Sequence, residues 1–412
     1  MKSYKVCILV LLLMASAVSS LCAQKKNVDA AWRLTGKTES VAEARRLIKE
    51  AMEHPQTKEQ SRTYFVAAMI EWRSYEADVR KREINPKDGS VKDANMTQKI
   101  LNGYKYLLKA LPLDSMPDKK GKIKPKYSRE ILEQLDAHAY DLYRAGALSY
   151  NAGKYYPEAY EGFMGAAQLA SDPRMMRTRK LLPDSVMANS FFFAGLSAYG
   201  GKQPKKALPA FSLAEKSGLT SDTLYLYSMA IWEQLAKDSA QLHDIARDSL
   251  LNISQRAYRR HGIKVPDFLS RMTQIYIAEG KTDTILAILD RQLEKTPEEW
   301  LPRGLRAWVY DSAGKTDAAI ADYKLAAEHP GISAKMLMRG ANLLYRHAHK
   351  LKDNIKGNRQ QRRKMAKELI DNYLVPATSM AKRAGEKTSD SKDLDLIKDI
   401  LEAIDYDTSL LQ

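Results

Sequence analysis

Residues 266–299, PDFLSRMTQIYIAEGKTDTILAILDRQLEKTPEE, and residues 300–333, WLPRGLRAWVYDSAGKTDAAIADYKLAAEHPGIS, carry one pattern twice. Tyr276 and Tyr310, Gly280 and Gly314, and the Lys-Thr-Asp after each glycine fall in register at a spacing of 34 residues. A period of that length, built from helix–turn–helix units, is the signature of a helical solenoid. Each unit alone leaves an apolar face uncovered, so neighbours must stack, and the stack offers an extended surface. Binding of a partner is therefore the first functional expectation.

The second block reads as two packed helices. Leu301, Leu305, Trp308 and Val309 form one apolar face. Gly314 can take the left-handed conformation that ends a helix. Thr316 or Asp317 is then expected to accept a hydrogen bond from the free amides of the next helix. Ala319, Tyr323 and Ala326 line one side of that helix, small residues allowing close approach, and Pro330 stops it.

This pattern resembles the tetratricopeptide repeat (TPR) family. Its succession of small and aromatic positions, an alanine and a closing proline is matched by Ala307, Tyr310, Ala319, Tyr323, Ala326 and Pro330. In the first block Tyr276 and Pro297 fit, whereas Ile285, Leu289 and Gln292 depart from it. Two earlier units extend the match: Ala147, Tyr150, Gly153, Lys154, Ala159, Phe163, Ala166, and then Gly195, Ala198, Gly201, Lys202, Ala207, Phe211, Ala214. These sets stand 48 residues apart, so a Pro-bounded insert, SDPRMMRTRKLLPDS, is expected between them. A weaker unit is read around Trp232 and Ala257, with an extended turn at 237–248. Near the start, Trp32 and Gly36-Lys37 precede Ser40-x-x-Glu43, read as a capping box ahead of a helix ending at His54-Pro55.

The resemblance implies an all-α, right-handed TPR-like solenoid with a C-terminal capping segment, whose first helices line a partner-binding groove. The residues it places there are Asp141, Arg144 and Asn151, then Asn189, Phe192 and Tyr199, then Gln274, Trp308 and Asp311. Trp308 reads equally as a partner anchor or as packing between units. Leu148 and Leu196 stand where chaperone-binding members of the family place polar residues that grip a carboxylate.

The ends and the charge narrow the setting. Lys2 and Lys5, the apolar Val6–Met14 and a small-residue cleavage site make residues 1–23 an expected signal peptide. Cleavage is expected after Ala23, with Ala17 as the alternative; Leu21 before Cys22 argues against lipidation. Cys7 and Cys22 are the only cysteines, so the mature chain would hold none. The expected location is the periplasm, with outer-membrane association or secretion as alternatives. No later segment is apolar over the length of a bilayer span. The net charge of +16 falls to +14 without Lys2 and Lys5. Lys119, Lys120, Lys122, Lys124 and Lys126 crowd one loop, and residues 350–367 are strongly basic. Such surfaces attract nucleic acid, anionic lipid or acidic protein, or are simply solvated. Export removes nucleic acid and leaves a protein partner, or an acidic envelope surface.

The chain divides by composition into degenerate repeats with a long hairpin loop (24–111), a basic loop (112–128), the main repeat array (129–349) and basic C-terminal helices that cap it (350–412). In the last segment Met365, Leu369 and Tyr373 form one stripe, Pro376 kinks or ends that helix, and Leu394, Ile397, Leu401 and Ile404 form another.

Motifs for chemistry are weak. Gly-Lys-Thr occurs at 36–38, 280–282 and 314–316, but the earlier glycine of a phosphate-binding loop is replaced by Ala31, Ile275 and Val309. His347 and His349, two apart on a helix, diverge by about 200° and cannot share a metal. No serine elbow or paired acid–base spacing stands out. The chain is expected to have no catalytic, cofactor or metal site. The reading is a scaffold for protein–protein contacts in the cell envelope; the alternatives are a glycan- or small-ligand-binding component of an outer-membrane uptake system, and a peripheral membrane-associated protein. Without cysteines after residue 23, thermal unfolding of the mature chain should be unchanged by reductant or chelator; a drop of about ten degrees with either would overturn that reading of its Cys and His content.

Overall fold

The computed structural model describes residues 25–86, 89–117 and 120–411, so the expected signal peptide and Lys119 lie outside the described residues. The elements are helical. Helix α1 covers residues 25–34, followed by α2 (Val41–Glu53), α3 (Ser61–Ile84), α4 (Asp93–Asp114), α5 (Ser128–Asn151), α6 (Tyr156–Ser171), the short α7 (Met176–Leu181), α8 (Asp184–Gly200) and α9 (Pro204–Lys216). After these come α10 (Asp222–Asp238), α11 (His243–His261), α12 (Pro266–Ala278), α13 (Thr282–Lys295), α14 (Trp300–Ser312), α15 (Thr316–Glu328), α16 (Ala334–Lys352), α17 (Arg359–Leu369), α18 (Val375–Lys387) and α19 (Ser391–Leu411). Two compact units result, Met1–Leu224 and Tyr225–Gln412. Each is a stack of helix pairs.

In the second unit the repeat is literal. Helices α12 and α14 begin 34 residues apart, and so do α13 and α15. Gly280 and Gly314 adopt φ of 68° and 73°. The amide after each donates to the carbonyl of the repeated tyrosine, Lys281 to Tyr276 and Lys315 to Tyr310, both at 2.9 Å. This is the six-to-one bond of a Schellman turn. The expected side-chain cap from Thr316 or Asp317 is absent, because the turn is so short that Thr316 is already helical and Lys315 occupies the cap position. Ala307, Ala319 and Ala326 are fully buried at the crossing, with Tyr323 beside them. Arg306 clamps Asp322 through two bonds of 2.7 and 2.9 Å and reaches Asp290 at 2.8 Å, tying α13, α14 and α15 together.

The first unit follows the same plan with two register changes. At the α8–α9 turn the left-handed residue is Lys202 (φ 56°), whereas Gly201 is not left-handed. Gln203 donates to Ala198 at 2.8 Å, so the turn is the same Schellman turn without its glycine. At the α5–α6 turn Gly153 (φ 69°) is left-handed, but one extra residue follows before α6. Counted from Gly153, the small residue at the crossing is Gly146 rather than Ala147. A Cβ on Gly162 would come within 2.6 Å of the Gly146 nitrogen and 2.7 Å of the Leu142 oxygen. The backbones of α5 and α6 therefore touch, and Ala147 is only half-buried.

Other expectations changed locally. Ser40 and Glu43 form no capping box: a 3₁₀ turn over Thr38–Ser40 precedes α2, and Glu43 pairs with Arg46 at 2.7 Å instead. A capping box does form at Asn358 and Gln361, ahead of α17. Helix α4 runs through Pro112 to Asp114, so the basic loop begins later than the proline suggested. The turn expected at 237–248 is short, with α11 starting at His243. Pro376 neither ends nor breaks its helix, since a π turn over Ile370–Leu374 precedes it and Pro376 falls in the first turn of α18. On α19 the buried stripe is Ile397, Ile400, Ile404 and Asp407, while Leu394 is exposed. The Asp407 carboxylate accepts from His349 and Lys352, both at 2.7 Å, fastening α19 onto α16.

Two substitutions test these crossings. Lys202→Gly should raise stability by up to about 1 kcal/mol, because an L-residue is strained in the left-handed region. Gly162→Ala should lower it by about 1–3 kcal/mol, since its contacts are backbone atoms that cannot swing away. Denaturant midpoints of both variants read the signs directly.

Candidate partner-binding surface

The first helices of the second unit, α12, α14 and α16, carry three of the expected groove residues. Gln274 is exposed and accepts from Arg271 at 2.9 Å. Trp308 is half-buried, and its ring is covered by the Arg339 guanidinium, whose carbon lies 3.5 Å from the ring centroid. Asp311 pairs with Arg346 at 3.1 Å. Arg339 is itself half-buried and has no carboxylate within ion-pair range among the described residues. Burial pulls its guanidinium below the usual arginine range, against the opposing pull of Tyr323 and Asp311. The Tyr323 hydroxyl reaches the same place from α15; it is buried without a hydrogen-bond partner, and burial pushes its pKa above the usual tyrosine range.

Trp308 and Asp311 are thus brought into one cluster with Arg339, Arg346 and Tyr323. Gln274 stands apart, with Arg271 and Glu233. The two arginines were not among the sequence candidates. Carrying the 34-residue period one step further, from Leu305 and Ser312, lands on them.

In the first unit Arg144 and Asn151 are exposed on α5, and Asn189 and Tyr199 on α8. Phe192 is half-buried between Phe193 (5.8 Å between ring centroids) and Phe211 (5.7 Å), within a run of rings that continues through Phe163 to Tyr143. The register change on α5 moves the positions equivalent to Arg144 and Asn151 onto Tyr143 and Tyr150. Tyr150 lies edge-on to Phe193 at 5.6 Å.

The same unit holds a charged cluster between α3 and α5. His138 is buried against Trp72, with ring centroids 4.3 Å apart. Its Nδ1 meets Asp141 at 3.1 Å and its Nε2 faces Glu76 at 3.6 Å. The Tyr75 hydroxyl donates to Asp141 at 2.7 Å, so that carboxylate is engaged in packing.

The basic loop has structure. Asp114 accepts from the Tyr127 and Ser128 amides at 2.8 and 2.7 Å and from the Ser128 hydroxyl at 2.7 Å, closing the base. A single antiparallel bridge joins Pro117 to Ile123, and Gly121 turns with φ of 74°. Lys120, Lys122, Lys124 and Lys126 are exposed.

No protein-family model matches this chain, and no curated protein matches it. Solved TPR structures do. YrrB, described as a TPR protein with an unusual peptide-binding site, is 16% identical over 47% of this chain and 92% of its own, with a TM-score of 0.28. The TPR2AB domain of yeast Sti1, solved as a complex with pHSP90, is 14% identical over 80% of this chain and 97% of its own, with a TM-score of 0.24. The TPR domain of P58(IPK) is 13% identical over 79% and 99%, at 0.20. With overlaps this low, the repeat assignment rests on the helix pairs of this chain itself. No helix among the described residues is long and apolar enough to cross a membrane.

The His138 cluster makes stability depend on pH. Burial opposes the charged ring, but the hydrogen bonds it donates to the carboxylates of Asp141 and Glu76 outweigh it, and the imidazole is held above its ordinary value of 6.5. The folded state then holds a proton that the unfolded chain releases. This stabilisation is complete below about pH 6.5 and is lost as pH rises through the folded value. His138→Gln should flatten that part of the stability–pH profile; an unchanged slope would remove His138 as its source.

Proposed function

We propose that this protein is an exported, non-enzymatic scaffold that holds a protein partner on the exposed face of its first helices in the bacterial cell envelope. The Trp308–Arg339 stack carries this reading. A guanidinium lying flat on an indole at 3.5 Å, half out of water and without a carboxylate of its own, keeps planar donors for an incoming acidic group. Asp311 does not neutralise the site, because Arg346 already engages it. An aromatic and an arginine at one point are the residue types that dominate interface energies.

Export is supported by residues 1–23, with their basic start, short apolar run and small residues before Gln24. The +14 charge expected of the mature chain would favour an acidic partner.

Capture from envelope extracts under mild crosslinking tests the reading, with Trp308→Ala and Arg339→Gln run beside wild type. The partner recovered by wild type should fall about tenfold or more in both variants, as for loss of an interface anchor. Equal recovery would remove this face as the binding surface. Amino-terminal sequencing of the mature chain should begin at Gln24; an intact Met1 in the cytosolic fraction would overturn export.

A further inference from the structure

A second site lies on the other row of helices in the second unit. Between α11 and α13 there is a cleft of about 590 Å³, within the size range of small-molecule sites. Gln255, Tyr258 and Arg259 of α11 form one wall, and Ile288, Arg291, Gln292 and Lys295 of α13 the other; Met272 of α12 also lines it. The walls are braced by their own polar groups. Tyr258 donates to Gln292 at 2.7 Å, Gln292 donates to Thr296 at 3.1 Å, and Gln255 donates to the Tyr276 hydroxyl at 2.8 Å. These bonds fix the cleft without spending its cations.

The cations are the unexplained part. Arg259, Arg291 and Lys295 are exposed at the rim, and none makes a hydrogen bond or ion pair among the described residues. No carboxylate lines the cleft. Three other arginines of this unit are paired, Arg306 with Asp322, Arg271 with Glu233 and Arg247 with Glu279, whereas Arg260, Arg359, Arg362 and Arg363 are exposed and, like the cleft cations, make no ion pair among the described residues. Positive side chains near the ends of α11 and α13 are favoured by the helix dipoles, which accounts for Arg259 and Lys295 in their last turns. The dipoles do not account for three cations converging on one braced cleft with apolar side chains, Met272 and Ile288, in its lining.

We infer that the α11–α13 cleft binds a compound carrying two or more phosphate charges, held by Arg259, Arg291 and Lys295, with its uncharged body against Met272 and Ile288. Guanidinium groups suit phosphate through paired donors, and the ammonium adds a point charge. The compound can be a free phosphate ester or the headgroup of an anionic lipid. The site does not depend on the partner-binding face of α12, α14 and α16.

The test uses the full mature chain, with pyrophosphate in one arm and vesicles of phosphatidylglycerol and phosphatidylcholine in the other. Wild type is compared with Arg259→Gln/Arg291→Gln and, as a control for general basicity, with Lys120→Gln/Lys122→Gln/Lys124→Gln. Circular dichroism melting checks that each variant folds; the substituted side chains are exposed, so the melts should match wild type. Saturable pyrophosphate binding that weakens at least tenfold in the arginine variant and persists in the lysine variant supports a free phosphate ligand. Binding to the anionic vesicles alone, with the same dependence on the two arginines, supports a lipid headgroup. Absence of binding to both probes, or equal binding by wild type and the arginine variant, overturns the inference. So does an equal loss in the lysine variant, which would mean diffuse basicity.

Discussion

Helix pairs in this protein depend on how closely two backbones can approach at each crossing. In α5 and α6 the approach is limiting: at Gly162 even a methyl group would fall within 2.6–2.8 Å of the opposing backbone. Gly195 lies under the ring of Phe211, and Gly103 under Trp72, in the same way. Dispersion gains need such proximity, and small residues supply it without leaving cavities. The larger aromatic and aliphatic side chains then fill the spaces between pairs. Stacking follows, because each pair leaves an apolar side that its neighbour must cover.

Two buried carboxylates in these stacks are satisfied by bonds that also tie helices together. Asp322 is buried but doubly bonded to Arg306; Asp407 is buried but bonded to His349 and Lys352. Such pairs stabilise little relative to an apolar core, yet removing one partner leaves a buried charge at high cost. They act as register pins. Other cations are left without a carboxylate. Arg339 on the first-helix face and the Arg259–Arg291–Lys295 set between second helices have donors that the fold does not use, and on those donors the two binding proposals rest.

The register shifts come from the turns. A turn of fixed length transmits the 34-residue period faithfully from α12 and α13 to α14 and α15. One added residue after Gly153 rotates the α5 register by a position, replacing Arg144 and Asn151 at the equivalent positions with Tyr143 and Tyr150. At Lys202 the same left-handed turn survives without glycine, at a cost in strain, because the flanking helices impose it.

The all-α class, the pairing of helices and the position of the Gly280 and Gly314 turns were determined by sequence alone, since period, small residues and left-handed glycines are local signals. The place of Trp308 and Asp311 on the first helix of their repeat was also legible, through the 34-residue period. The absence of caps at Thr316 and Ser40, the passage of α4 through Pro112 and the buried stripe of α19 were decided only by tertiary structure. In each case packing set which amide, turn or face remained open. The Trp308–Arg339 stack and the α11–α13 cleft were decided there too, because both join side chains from separate helices, and no local pattern records which cations end without a partner.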